Sequence, residues 1–473
     1  MSVRRGDRVE VAVEGMAYGG QGVARLDGFV IFVRGGVKGD RVLAGVFRKK
    51  KDHAEARILE ILDPSPDRIS PPCPHSGYCG GCQWQHIRYE RQLDFKREHV
   101  RDAVIRIGGL DDATVHRVIP SEEVFGYRNK MEFSFSDRRW LLPEEMENPA
   151  GERDFALGLH VPGAFDRVMD IDACLLQKEA GNDILKAAKL YARNSGVPPY
   201  GLKSHRGYWR FLALRYSAFF RQWMVNVVTS EYRPEVTGPL VEMLQDRFEG
   251  ISTVVNNITG RKASIALGER EVVLSGEGTI RDRLGLFTFQ ISANSFFQTN
   301  ARGAEALYSK VVEYAGLTGS ERVLDLYSGT GTIPIFLSGM AQEVVGMEIM
   351  ASAVRDAETN CRLNGVENCR FVLGDIRESL LRLGWRPDVL IIDPPRAGMH
   401  KDVVAGVNAL QAERIVYVSC NPATMARDMS MMSGDYEVAE IQPVDMFPHT
   451  YHIEAVARLV RRKIQLTIGY PGI

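Results

Sequence analysis

At 473 residues the chain exceeds what one ordinary hydrophobic core accommodates, so two to four domains are expected, and 45% apolar with 25% charged residues is the balance of a water-soluble globular protein. No run approaches the roughly 18 apolar residues of a membrane span, and the opening MSVRRGDRVEVAVEG lacks a signal-peptide core, so a cytoplasmic protein with no membrane partner is expected. The formal net charge of −1 removes bulk charge as an argument for a nucleic-acid partner; any such contact has to be local.

Residues 1–62 alternate apolar and polar positions between glycine turns, and short strands at Val9–Val13, Phe29–Val33 and Arg41–Phe47 predict a small β-barrel. The run Arg48-Lys49-Lys50-Lys51 within it is more often a solvated loop than a binding patch when taken alone. A proline-rich linker, DPSPDRISPP, opens the segment 63–92 and leads into CPHSGYCGGCQWQH. A helix is expected from about Tyr89 to Ile107. Residues 93–284 then read as a central α+β domain, an antiparallel sheet interrupted by one helix near Lys178–Ser195. From 285 to 473 strands and helices alternate. Strands at Arg322–Tyr327, Glu343–Ile349, Arg370–Leu373, Val389–Ile392 and Ile415–Val418 predict an α/β domain with a parallel sheet. The last two apolar runs, YEVAEIQPV and EAVARLV, are too close for a crossover helix and should pair antiparallel.

Ligands of such a sheet bind beyond the carboxyl ends of its strands. The first end is DLYSGTGT (325–332), where Gly329 and Gly331 allow a tight turn and close backbone approach at a helix start. The second is Glu348, placed to accept both hydroxyls of a ribose. NAD and S-adenosylmethionine both fit that pair, and the antiparallel final strands favour the class I (Rossmann-like) methyltransferase sheet. Asp375 ends the third strand, near where an adenine would lie. Asp393, in IIDPPRAG, sits on a ledge stiffened by two prolines. Cys420 ends the fifth strand, and MFPHTYHIE brings His449, His452 and Glu454 in or beside the same cleft.

A methyl donor, a thiol and carboxylates in one cleft suit methylation of carbon 5 of uracil. That carbon is too weak a nucleophile until a thiolate adds to carbon 6, and a base must afterwards remove the carbon-5 hydrogen. A thiol pKa of about 8.5 is readily lowered at a helix start, which the helix opening near Pro422 offers Cys420.

The motifs SCNPAT, DPPRAG, HTYHIE and NSFFQTN (294–300) resemble those of the RNA (uracil-5-)-methyltransferases, and the resemblance covers nearly the whole chain. Residues 1–62 are similar to a TRAM domain, a small RNA-binding barrel, and GYRNKM (126–131) to a segment of the family's central domain. The resemblance implies Cys420 as nucleophile and Glu454 as the base. It implies Gln298, Tyr327, Glu348 and Asp393 as contacts of S-adenosyl-L-methionine. His449 and His452 receive no step and read as structural.

Seven cysteines are present. Cys73, Cys79, Cys82 and the distant Cys174 are grouped for something other than disulfides in a reducing compartment. Four thiolates could hold zinc or a [4Fe–4S] cluster, and spacing does not separate them. The resemblance implies the cluster, as in the family's 23S ribosomal RNA enzymes, acting as a fastener between linker and central sheet. Cys361 and Cys369 read as small core residues. The implied partner is RNA, 23S ribosomal RNA first and transfer RNA as the alternative, with the protein acting as a monomer. A target uracil would have to be unpaired or flipped out. A non-catalytic RNA-binding factor and a zinc-containing methyltransferase of another substrate are the rival readings; intact Cys420 and Glu454 argue against the first.

Overall fold

Alternation of inward and outward residues closes the N-terminal strands, Arg8–Met16, Gly22–Leu26, Phe29–Arg34, Arg41–Lys49 and His53–Asp63, into a barrel. Its core is small and aliphatic: Val11, Ala24, Ile31, Val33, Val42, Ala44 and Val46 are buried. Each full-size aliphatic side chain there contributes about 1.5–3 kcal/mol of burial. Arg48 to Lys51 are exposed at a hairpin turn of this barrel. The computed structural model describes residues 3–146, 153–262 and 265–462.

The chain divides into two compact units. The first takes in the chain up to Phe95, Ser121–Ala304 and Met446–His452; the second comprises Lys96–Pro120, Glu305–Asp445 and the chain from Ile453. Besides the barrel, the first unit holds an eight-stranded central sheet. Its strands, in spatial order, are Arg270–Ser275, Ile251–Ile258, Gln222–Thr229, Trp209–Ser217, Lys130–Ser136, Ala156–Val161, Ala164–Asp170 and Arg139–Trp140. This sheet is mixed rather than purely antiparallel. Gln222–Thr229 runs parallel to Ile251–Ile258 because a helix, Pro234–Arg247, crosses between them. Pro234 stands in the first turn, where no amide hydrogen is needed, but Pro239 lies inside the helix, and that interior proline hides the helix from a propensity reading.

The second unit is built on an eight-stranded sheet in the order Cys369–Leu373, Glu343–Glu348, Arg322–Leu326, Val389–Ile392, Arg414–Ser419, Glu454–Arg461, Tyr436–Val444, Thr114–Val115. Its first five strands are parallel, and Glu454–Arg461 is antiparallel to both neighbours, the class I methyltransferase arrangement. Both faces are covered, so a middle strand can be apolar throughout: all four residues of Val389–Ile392 are buried. The short edge strand Thr114–Val115 pairs parallel with Tyr436–Val444. At the end of that neighbour, Asp445 forms a fully buried ion pair with Lys96 at 2.6 Å. Among the described residues no helix is long and apolar enough to cross a membrane.

Candidate active site

Strand order reverses between Arg322–Leu326 and Val389–Ile392, and their carboxyl ends open the crevice in which such sheets bind ligands. Tyr327, Gly329 and Gly331 all have positive φ (65°, 54° and 78°), so the chain leaves the first strand through a left-handed turn. Tyr327 is the unusual member, since a side chain at positive φ carries strain of order 1 kcal/mol or more. Gly331 is required on contact grounds as well: a Cβ there would lie 2.9 Å from both Ala357 Cβ and Phe371 Cζ. Glu348 is buried and fixed by two amides, accepting from Gly329 at 3.0 Å and Met350 at 2.8 Å.

Asp325, which the strand-end reading omits, is a buried acid without a hydrogen-bond partner in this crevice. It is 1% exposed and neither carboxyl oxygen has a hydrogen-bond partner. Burial, and then the charges of Asp393 and Glu348, hold its pKa well above the usual carboxylate range. Buried polar atoms are nearly always satisfied, so an orphaned acid facing two others calls for a cationic, donor-bearing ligand. A nucleoside carrying an ammonium and a sulfonium group fits that donor set. The available signal is position: an acid four residues before the first glycine of the turn.

Asp393 enters its rigid loop with its amide donating to Leu326 O at 3.3 Å, and burial pushes its carboxyl up to about 7. It does not cap the following helix Lys401–Leu410; His400 does. Asp375 caps the helix Ile376–Leu381 and pairs with Arg377 at 2.6 Å, which holds its carboxyl down at about 2.

Cys420 lies between opposing charges. Burial raises its thiol to about 11, Glu454 and Asp393 push the same way, and Arg396 opposes them by charge and by a hydrogen bond. Burial and two carboxyls outweigh the lowering that the helix start predicts for this thiol. Arg396 is thus the second residue that the strand-end reading missed, although DPPRAG contains it. Glu454 is buried, and its carboxyl is pushed up to about 8 by burial and then Asp393, with Arg396 opposing. The helix Pro422–Met432 fixes the Arg396 loop. Asn421 caps the helix by accepting from Ala423 N at 3.1 Å, and both Asn421 Nδ2 and Thr424 Oγ1 donate to Arg396 O, at 3.0 and 3.2 Å.

The loop between the last two strands divides differently. Met446–His452 belongs to the first unit, whereas Glu454 begins a strand of the second. His449 bonds Gln92 through its amide and Nδ1, stacks on Phe125 at 4.3 Å, and its carbonyl accepts from Gln83 and Trp84. His452 packs at 4.2 Å against the Tyr451 ring. Gln298 also belongs to the first unit, where Asn129 Nδ2 donates to its carbonyl at 2.9 Å.

Cys73, Cys79, Cys82 and Cys174 line one pocket of the first unit. Burial above all, with the neighbouring thiols adding, raises Cys79 to about 12 and Cys82 to about 11. Among the described residues no three His, Cys, Asp or Glu side chains stand in a preformed ligating geometry. Cys361 is buried and Cys369 partly so, its Sγ 3.5 Å from Pro334 O.

Comparison with known proteins gives a consistent answer. The tRNA (uracil-5-)-methyltransferase family model matches residues 240–462, and the TRAM domain model matches residues 2–59. An uncharacterized RNA methyltransferase of Chlorobaculum tepidum is 43% identical over 465 residues, covering 96% of each chain. The chain belongs to the RNA (uracil-5-)-methyltransferase family. A Porphyromonas gingivalis RNA methyltransferase is 41% identical over 94% of this chain and 98% of its own. The crystal structure of Pyrococcus abyssi tRNA (uracil-54, C5)-methyltransferase with S-adenosyl-L-homocysteine superposes with a TM-score of 0.74 at 31% identity, covering 95% of this chain and 99% of that one. As a member of this S-adenosylmethionine-dependent RNA methyltransferase family, the protein carries its TRAM domain as the N-terminal barrel.

Proposed function

We propose that the protein methylates carbon 5 of a uridine in 23S ribosomal RNA through a covalent adduct with Cys420. The observation that carries this reading is the cluster of Cys420, Glu454, Asp393 and Arg396 at the strand ends of the second unit. S-adenosylmethionine, when bound, supplies the methyl group. Asp325, Tyr327, Glu348 and Asp393 provide the acidic, turn-lined crevice that would hold it; the part of Gln298 rests on the resemblance of its NSFFQTN segment.

The residues divide the chemistry. Arg396 stabilises the Cys420 thiolate, whose sulfur bonds to carbon 6 of the uracil while the ring's π pair moves to O4. The resulting enolate makes carbon 5 nucleophilic. Once carbon 5 carries both hydrogen and methyl, the Glu454 carboxylate takes that proton. The freed electron pair re-forms the ring double bond and expels the sulfur. A carboxyl pushed up to about 8 is a stronger base than an ordinary one, which suits a proton held on carbon.

The four cysteines that line this pocket, though not preformed in a ligating geometry, are the donor set that a [4Fe–4S] cluster or a zinc ion takes. Resemblance favours the cluster, which would fasten Cys73, Cys79 and Cys82 to Cys174 and take no step in the reaction. Anaerobic purification should give brown protein with visible absorbance; colourless protein with one zinc per chain would overturn the assignment.

A second reading, transfer RNA as substrate, is favoured by one observation, the likeness to the Pyrococcus abyssi enzyme. Mass mapping of methylated uridine after incubation with ribosomal and transfer RNA separately decides between them. Methyl groups in 23S RNA alone support the proposal, and methyl groups in transfer RNA alone overturn it.

A further inference from the structure

At the edge of the central sheet lies the two-residue strand Arg139–Trp140, paired parallel with Ala164–Asp170. Beside it is an open pocket of about 530 Å³, inside the roughly 300–1,000 Å³ range of ligand sites. Among the described residues four arginines line it, 138, 139, 153 and 167, against one acid, Asp137. Arg138 is paired with Asp166 at 2.8 Å and Arg139 with Glu145. Arg153 and Arg167 are exposed and form no ion pair among the described residues. Arg167 Cζ lies 5.7 Å from the Trp140 ring centroid, so a cation and a flat aromatic face stand side by side. Next to them, Phe165 is 69% exposed, with Lys203 Nζ 6.0 Å from its ring.

None of these groups belongs to the catalytic cluster or to the barrel. Guanidinium groups gathered at the rim of a pocket repel one another unless an anion joins them, and their forked donors match phosphate. An indole face adds what a phosphate site alone would not need, a platform on which any base can stack. We propose that this pocket is a further RNA-binding site, holding one unpaired nucleotide of the substrate strand with its phosphate at Arg153 and Arg167 and its base against Trp140. The inference rests on the reading of the protein as an RNA methyltransferase and names a place where that RNA is gripped away from the reacting uracil.

The test uses the full chain and a fluorescein-labelled single-stranded RNA, titrated at several salt concentrations. The double variant Arg153→Glu/Arg167→Glu should bind at least tenfold more weakly and lose about 0.7 of salt slope per phosphate contact removed. Trp140→Ala should lose roughly tenfold in affinity with the slope kept. Both should raise KM for RNA and leave kcat and cofactor affinity near those of the unaltered protein; Arg247→Glu, a single charge reversal on the helix Pro234–Arg247, should change neither affinity nor slope. Photo-crosslinking of 4-thiouridine RNA to the unaltered protein should map to the peptides containing Trp140 and Phe165, a readout that needs no variant to fold. Unchanged affinity and slope in both variants, with no crosslink at those peptides, would overturn the site. So would binding of an acidic peptide that is lost in the double variant while RNA binding persists. If the methyltransferase reading itself failed, the unaltered protein would place no methyl group in any RNA, an outcome distinct from either.

Discussion

Asn421 Nδ2 donates to the main-chain carbonyl of Arg396 at 3.0 Å, so the residue that follows the thiol also holds the loop of the cation beside it. This relationship explains the Cys-Asn-Pro order. Cysteine ends the strand, asparagine caps the helix and ties the loop, and Pro422 occupies the helix's first turn without a wasted donor.

Replacing Asn421 by alanine should therefore act in two ways. Loss of the cap should cost about 1 kcal/mol in urea unfolding. Release of the Arg396 loop should slow methyl transfer at least tenfold while cofactor affinity, measured by calorimetry, changes little. A full rate with the same stability loss would separate Arg396 from the thiol's chemistry.

Glu454, pushed up to about 8, must be a carboxylate to accept the carbon-5 proton. Turnover should rise between pH 6 and pH 8.5, and the Cys420 thiol, pushed up to about 11, should carry the rise further at higher pH. Stability should move the opposite way. Asp393 at about 7 and Glu454 at about 8 are both raised above unfolded values of about 4. Their contribution to folding is complete below the unfolded value and is lost as pH rises through the folded one. The free protein should melt at a lower temperature at pH 8.5 than at pH 6. A pH-independent rate over that range would remove Glu454 as the titrating base.

Asp325 gives a third expectation. Asp325→Asn keeps the shape and removes a buried acid that has no partner. The free protein should become more stable at neutral and higher pH, because an ionised orphan carboxyl no longer has to be buried. Affinity for S-adenosylmethionine should fall at least tenfold by calorimetry. Undiminished affinity would show that this acid does not face the cofactor.

The sequence made the strand ends readable because period, glycine turns and proline punctuation all fall where the parallel sheet terminates. Glu348, Asp393, Cys420 and Glu454 each close or open a strand or its loop, and the structure finds them there. Asp325 and Arg396 were harder to see. Nothing local distinguishes a buried acid without partners from a capped one, and Arg396 gains its meaning only when Asn421 folds back on its carbonyl. Thr114–Val115 is too short to carry a period and exists as a strand only through pairing with Tyr436–Val444. The rise of the Cys420 pKa was also illegible, because it depends on two carboxyls that lie 27 residues before it and 34 after it in sequence.

Covalent catalysis by Cys420 is most directly tested with Glu454→Gln protein, incubated with RNA and S-adenosylmethionine, denatured, digested and mapped by mass spectrometry. The sulfur of Cys420 should carry a methylated, ring-saturated uridine, since the amide cannot remove the remaining hydrogen. Free 5-methyluridine at normal yield with no modified Cys420 peptide, or an adduct on another residue, would contradict that chemistry.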